Sequence, residues 1–153
     1  MSESIEKIRR QLKEKQLHRI REMECGRALD ALVAEYVFGY HVIEMGDGDE
    51  QDFVYRKNAS IKGKIGSDEL ERVPNYSTVI YSAMQILNAF QYWKLEQRTE
   101  GVTALLSNQE GIASHAALHP GMAYAALPEA VCKSALVARV EENRLIEPLL
   151  EDD

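Results

Sequence analysis

The sequence predicts an α+β fold: a small, mainly antiparallel sheet covered by helices, α/β/α sandwich-like, preceded by an extra N-terminal amphipathic helix. Three observations lead there. Apolar residues recur at three-and-four spacing over 26–38, 78–91 and 128–142, the period that gathers them on one helix face. Strand-like runs lie between them, above all 92–98 and 102–107, which Thr99-Glu100-Gly101 joins as a hairpin with glycine in the turn. A chain of 153 residues that is 45% apolar and 28% charged suits one packed domain burying roughly two-thirds of its unfolded surface.

Taken in order, residues 1–25 form the leading helix. Ser2 or Ser4 can cap it, Glu3 and Glu6 suit its N-terminal dipole, and Ile5, Ile8 and Leu12 begin an apolar stripe that Leu17, Ile20 and Met23 continue. The stripe is narrow, so this helix needs another surface to pack on. In Gly26–Phe38, Leu29, Leu32, Val33, Tyr36 and Val37 share a face, and Gly39 follows as a C-cap that can turn left-handed without steric cost. Tyr40–Ile43 and Phe53–Tyr55 read as short strands. Glu44–Asp52 holds five acids, two glycines and no base. Calcium loops use such residues, but counting from Asp47 the template needs Gly at position six and Glu at position twelve, where Asp52 and Asn58 stand. Residues 57–71 read as a polar, exposed excursion.

Pro74–Thr78 opens the next helix, with Asn75, Ser77 or Thr78 as cap. Val79, Ile80, Ala83, Met84, Ile86, Leu87 and Phe90 give it a wide apolar arc, which predicts the most buried helix of the chain. After the 92–107 hairpin, 112–118 and 122–126 suggest further strands, and Pro128 suits the first turn of a closing helix. The organisation is thus 1–25 as amphipathic helix, 26–143 as the α/β/α domain and 144–153 as a frayed acidic tail.

Charge bounds the function. The net charge is −7; residues 1–25 carry seven bases against five acids, leaving eleven bases against twenty acids in the rest. A body so negative repels a phosphate backbone, which makes nucleic acid a disfavoured partner. The first 24 residues are too charged for a signal peptide and no run is long enough to span a membrane, so no membrane partner and a cytoplasmic location in a bacterial host are expected. Cys25 and Cys132 are too few for a disulfide framework and read as reduced thiols.

Three segments together, GRALDALVAEYVFGY at 26–40, VPNYSTVIYSAMQIL at 73–87 and ALPEAVCKSALVA at 126–138, resemble in order the motifs of the phage ABA sandwich family. In that pattern a helix carrying Asp30, Val33, Ala34 and Glu35 ends at a glycine and an aromatic, here Gly39-Tyr40. A Tyr-Ser-Thr entry, here Tyr76-Ser77-Thr78, opens the second helix. The resemblance covers about 26–140 and implies an α/β/α arrangement in a bacteriophage or prophage protein, and it brings no catalytic residues.

No cofactor and no metal site are expected. His115 and His119 have helical ligand spacing, but Ala116 stands where a zinc protease motif needs Glu, and Pro120-Gly121 ends the element. No glycine-rich phosphate loop or nucleophile elbow occurs, so an enzyme is the less favoured class. The preferred reading is a noncatalytic accessory protein that binds a host protein or sequesters a small anionic, nucleotide-like ligand. A nucleic-acid-associated factor and a nucleotide hydrolase are the alternatives. The ligand site expected is the 72–78 helix entry, with N–H donors and hydroxyls from Ser77 and Thr78, charge from Arg72, and stacking faces from Tyr76 and Tyr55. A homodimer or larger assembly through the 1–24 helix is also expected.

Overall fold

The computed structural model describes residues 2–46, 52–56, 70–98, 101–108, 123–142 and 144–151. Its elements are helix α1 (Ser2–Glu22), helix α2 (Arg27–Tyr36), strands β1 (Val42–Met45), β2 (Asp52–Arg56) and β3 (Leu70–Arg72), helix α3 (Ile80–Ile86) running into a 3₁₀ turn (Leu87–Ala89), strands β4 (Tyr92–Arg98) and β5 (Gly101–Ser107), helix α4 (Ala123–Glu141) and a last 3₁₀ turn (Glu147–Leu149). The fold is α+β, with the leading helix present. The antiparallel strands are divided between two sheets, β1-β2-β3 and β4-β5. In the hairpin, Trp93 faces Leu106 and Leu95 faces Ala104; Val102, Ala104 and Leu106 are buried, on the strand that packs along α4.

The closing helix, rather than the 78–91 segment, is the most buried. α4 touches α1, α2, α3 and β5. Ala126, Ala130, Ala135 and Ala138 are all buried, on different sides of the helix; side chains this small let neighbours approach from several directions. The polar groups of α4 are spent on those neighbours. Ser134 Oγ donates to Ala104 O at 2.7 Å, and Lys133 Nζ donates to Arg21 O at 2.9 Å. Arg139 donates to Tyr36 O at 3.2 Å and Val37 O at 2.9 Å, satisfying carbonyls at the C-terminal end of α2 as a basic residue there should. Its guanidinium lies 4.7 Å from the centre of the Phe90 ring.

Several expectations are corrected. Residues 123–126 form the first turn of α4 instead of a strand, so Pro128 sits inside the helix; the helical period extends upstream of the proline, and packing overrides its local preference. Leu70–Arg72 adds a third strand beside β2, pairing Tyr55 with Glu71, within a stretch too short and polar to show alternation. The helix after Pro74 starts at Ile80, and Tyr76–Thr78 forms a turn ahead of it. Nor are the described tail residues, 144–151, frayed. Ile146 and Leu149 are buried; Ile146 N–H donates to Gln16 Oε1 at 2.8 Å, and Lys15 Nζ donates to Leu150 O at 3.1 Å. The segment is too short to give a readable period, yet Ile146 and Leu149 strap α1 to the body.

The leading helix therefore finds its surface on its own chain, but only in part. Gln16 and Ile20 are buried and Lys13 pairs with Glu141 at 2.8 Å, whereas residues 4–11 are exposed throughout, with Ile5 and Ile8 each 55% accessible. No described helix is long and apolar enough to cross a membrane.

Candidate functional site

The residues expected to hold a ligand are brought near one another by a structural lock at the start of α2. Arg27 is its hub. Its Nε donates to Asp52 Oδ1 at 2.8 Å, while its Nη1 donates to Asp30 Oδ2 at 3.0 Å and Asn75 Oδ1 at 2.8 Å. Asp30 is almost wholly buried and also accepts the Ser77 N–H at 2.7 Å. Ser77 Oγ accepts from Gly26 N–H at 2.9 Å and donates to Gly26 O at 3.2 Å. Gly26 takes φ 153°, a value that L side chains rarely adopt.

The five predicted site residues fall within or beside this lock. Ser77 is buried, and both its N–H and its hydroxyl are used by α2. Thr78 is exposed, with its N–H turned to Asn75 O at 3.3 Å. The N–H groups of Tyr76 and Val79 likewise go to Pro74 O and Asn75 O, so the donors foreseen for an anion are taken up inside the chain. Arg72 is exposed and pairs with Asp52 at 2.6 Å; that hydrogen bond, first among the causes, holds the Asp52 carboxyl down at about 2.

Tyr76 and Tyr55 end a column of four stacked rings. Tyr76 lies 5.4 Å from Phe38, Phe38 5.6 Å from Tyr40, and Tyr40 4.4 Å from Tyr55. Tyr55 Oη donates to Glu71 Oε2 at 2.6 Å. Burial foremost raises both phenols, so each stays protonated at neutral pH. The column runs from the core to the three-stranded sheet and adds stacking to area burial.

What the lock holds is a groove. α1, α2 and the β1–β2 pair are its three walls, and Arg27 bridges α2 to β2 through Asp52. The opening measures about 870 Å³, within the usual range for ligand clefts. Its floor is apolar, with Ala31, Leu32, Val42, Phe53, Met23 and Leu149. Glu22, Glu35 and Glu44 line it with Arg19 and His18, a net acidic set. Ala28, at the first turn of α2, is exposed beside it. β-Sheet register explains the third wall: Glu44 stands opposite Phe53 and Val42 opposite Tyr55, so Val42, Glu44 and Phe53 share one face.

Sequence reasoning missed this groove because its residues come from α1, α2, two strands and the C-terminal turn, and only those of α2 fall in a motif. The Arg27–Asp30 pair, three residues apart on a helix, was the one readable signal. Among the described residues no group of three His, Cys, Asp or Glu could hold a metal ion; His115, His119 and the acids Asp47, Asp49 and Glu50 lie outside those described. Cys132 is buried, and burial raises its thiol. Cys25 is exposed, but partial desolvation and then Glu129 push its thiol up to about 11.

No family model matches the chain, and no curated protein does. A solved structure, the 2.0 Å crystal structure of a phage protein from Bacillus cereus ATCC 14579, is similar at a TM-score of 0.48 and 20% identity, covering 82% of this chain and 93% of that one. That protein is described only as a phage protein.

Proposed function

We propose that this chain is a noncatalytic binding protein that seats a helical segment of a host protein, apolar on one side and basic on its flanks, in the groove between α1 and α2. One observation carries the reading: a groove of about 870 Å³ with an apolar floor, lined by three glutamates against one arginine, whose α2 and β2 walls are tied by Arg27 through Asp30 and Asp52. Helix-in-groove recognition needs such a floor for apolar anchors spaced three and four apart, and the acidic rim selects the charge of the flanks. The phage or prophage setting rests on the resemblance of 26–40, 73–87 and 126–138 to the phage ABA sandwich motifs.

The test is calorimetric titration of the full chain with three helical peptides of one apolar face and basic, neutral or acidic flanks. The basic peptide should bind best. Ala28→Trp, which fills the groove from an exposed helix position, should weaken it at least tenfold. Equal binding by all three, or binding indifferent to Ala28→Trp, overturns the reading. A parallel arm incubates the protein with a host nucleotide extract and releases bound material by heat. Retention that is lost in Arg72→Ala but kept in Ala28→Trp would favour the 72–78 site with its anionic ligand instead.

A further inference from the structure

Among the described residues, the first turns of α1 have no counterpart surface. Residues 4–11 are exposed, and Ile5 and Ile8 present more than half their surface to water. Further along the same helix, Arg19 and Glu22 line the groove, and Met23 follows directly after its end. These two regions lie on one side of α1. Arg19 and Glu22 are eleven and fourteen residues from Ile8, about three and four whole turns at roughly 3.6 residues each. One helix face thus carries an exposed apolar pair at its start and one rim of the groove at its end.

We propose that the groove is filled by the start of α1 from a second copy of this chain, and the second groove reciprocally by the first. The two α1 helices then run antiparallel about a two-fold axis near Lys13. Equal spacing from that axis sets Ile8 level with His18 and Ile5 level with Arg21 of the other helix. Such an isologous contact requires the protruding residues and the receiving groove to share a face, which they do. Charge complements shape. The incoming turns carry Lys7, Arg9 and Arg10 against Glu3 and Glu6, and the groove offers Glu22, Glu35 and Glu44 against Arg19. Each groove is then completed by Ile5 and Ile8 from the second copy. This inference rests on the groove being a docking site, and a host segment bound there competes with the dimer.

Sedimentation equilibrium of the full chain decides it. Wild type should be a dimer whose dissociation constant rises with salt. Ile5→Asp/Ile8→Asp should weaken the dimer at least a hundredfold while leaving the circular dichroism of the folded chain unchanged, because both residues are exposed in the single chain. Ala28→Trp should also yield monomer. Mixing the two variants should restore a heterodimer, since one intact helix start meets one intact groove. A wild-type monomer overturns the proposal, and so does a dimer that survives either variant or a mixture that stays monomeric. If wild type is monomeric yet the basic peptide still binds and Ala28→Trp abolishes that binding, the groove reading stands and only the second copy is wrong.

Discussion

Replacing Asp30 by alanine isolates the lock that builds the groove walls. The carboxylate is 1% exposed and takes two charge-assisted hydrogen bonds, from Arg27 Nη1 at 3.0 Å and from the Ser77 N–H at 2.7 Å. Removing one member of a buried ion pair costs about 3–5 kcal/mol, because the partner charge remains desolvated. Here Arg27 keeps Asp52 at 2.7 Å, which places the loss toward the lower end, about 3 kcal/mol. For a domain of this length each kcal/mol moves the melting temperature by about 2–4 °C, so a drop of about 6–12 °C is expected. Asp30→Asn keeps an oxygen for the Ser77 N–H and should lose less. Arg72→Ala removes an exposed pair with Asp52 and should cost about 0–1 kcal/mol. Urea midpoints and thermal melts followed by circular dichroism give the three values. If Asp30→Ala destabilises no more than Arg72→Ala, the lock does not hold the walls.

Three further outcomes follow from the same structure. The Asp52 carboxyl is held at about 2, below its ordinary 3.8, so its contribution is complete above pH 4 and is lost as pH falls toward 2. The stability gap between wild type and Asp52→Asn should therefore shrink from pH 6 to pH 2.5 in urea titrations, and a gap independent of pH contradicts the assignment. The Cys25 thiol, raised from 9.0 to about 11, holds about a hundredfold less thiolate at neutral pH than an unperturbed thiol. Iodoacetamide should label it correspondingly slowly at pH 7.5, with Cys132 labelled only after unfolding; a free-thiol rate at Cys25 refutes this. Gln16→Ala leaves the Ile146 N–H unpaired in a buried site, costing about 1–3 kcal/mol, and amide exchange at Ile146 should accelerate. Unchanged exchange would mean the C-terminal strap does not depend on Gln16.

The parts of the fold that were legible are those where neighbouring residues carry the signal. The period of Leu29, Leu32, Val33 and Val37 announced α2, and all four are buried. Gly39 after that helix does adopt a left-handed φ of 76°, and the two runs foreseen do pair as a hairpin, with Gly101 beginning β5 opposite Arg98 rather than lying in the turn. Legibility ended where distant segments decide. α4 is buried on several sides because four elements converge on it, and an alanine-rich sequence does not declare how many neighbours it has. The strap residue Ile146 is held by Gln16, which lies 130 positions away, and β3 is defined by its pairing with β2, where Glu71 stands opposite Tyr55.

The candidate site divides along the same line. Tyr76, Ser77 and Tyr55 drew attention because polar and aromatic residues at a helix entry suit an anion, and they are indeed brought together with Arg72 around one cluster. Burial then reverses their meaning. An N–H or hydroxyl that a neighbouring backbone already uses has little left to offer a ligand, and leaving such a group unpaired in the interior is expensive. Ser77 therefore spends its donors on Gly26 and Asp30, Arg27 collects the carboxylates, and the rings stack on one another. The segments that carry the family resemblance thus hold walls in place. The groove itself is lined by Leu32 and Glu35 from the first of those segments, but also by Glu22 and Met23 on another wall and Phe53 on a third, which no motif singles out.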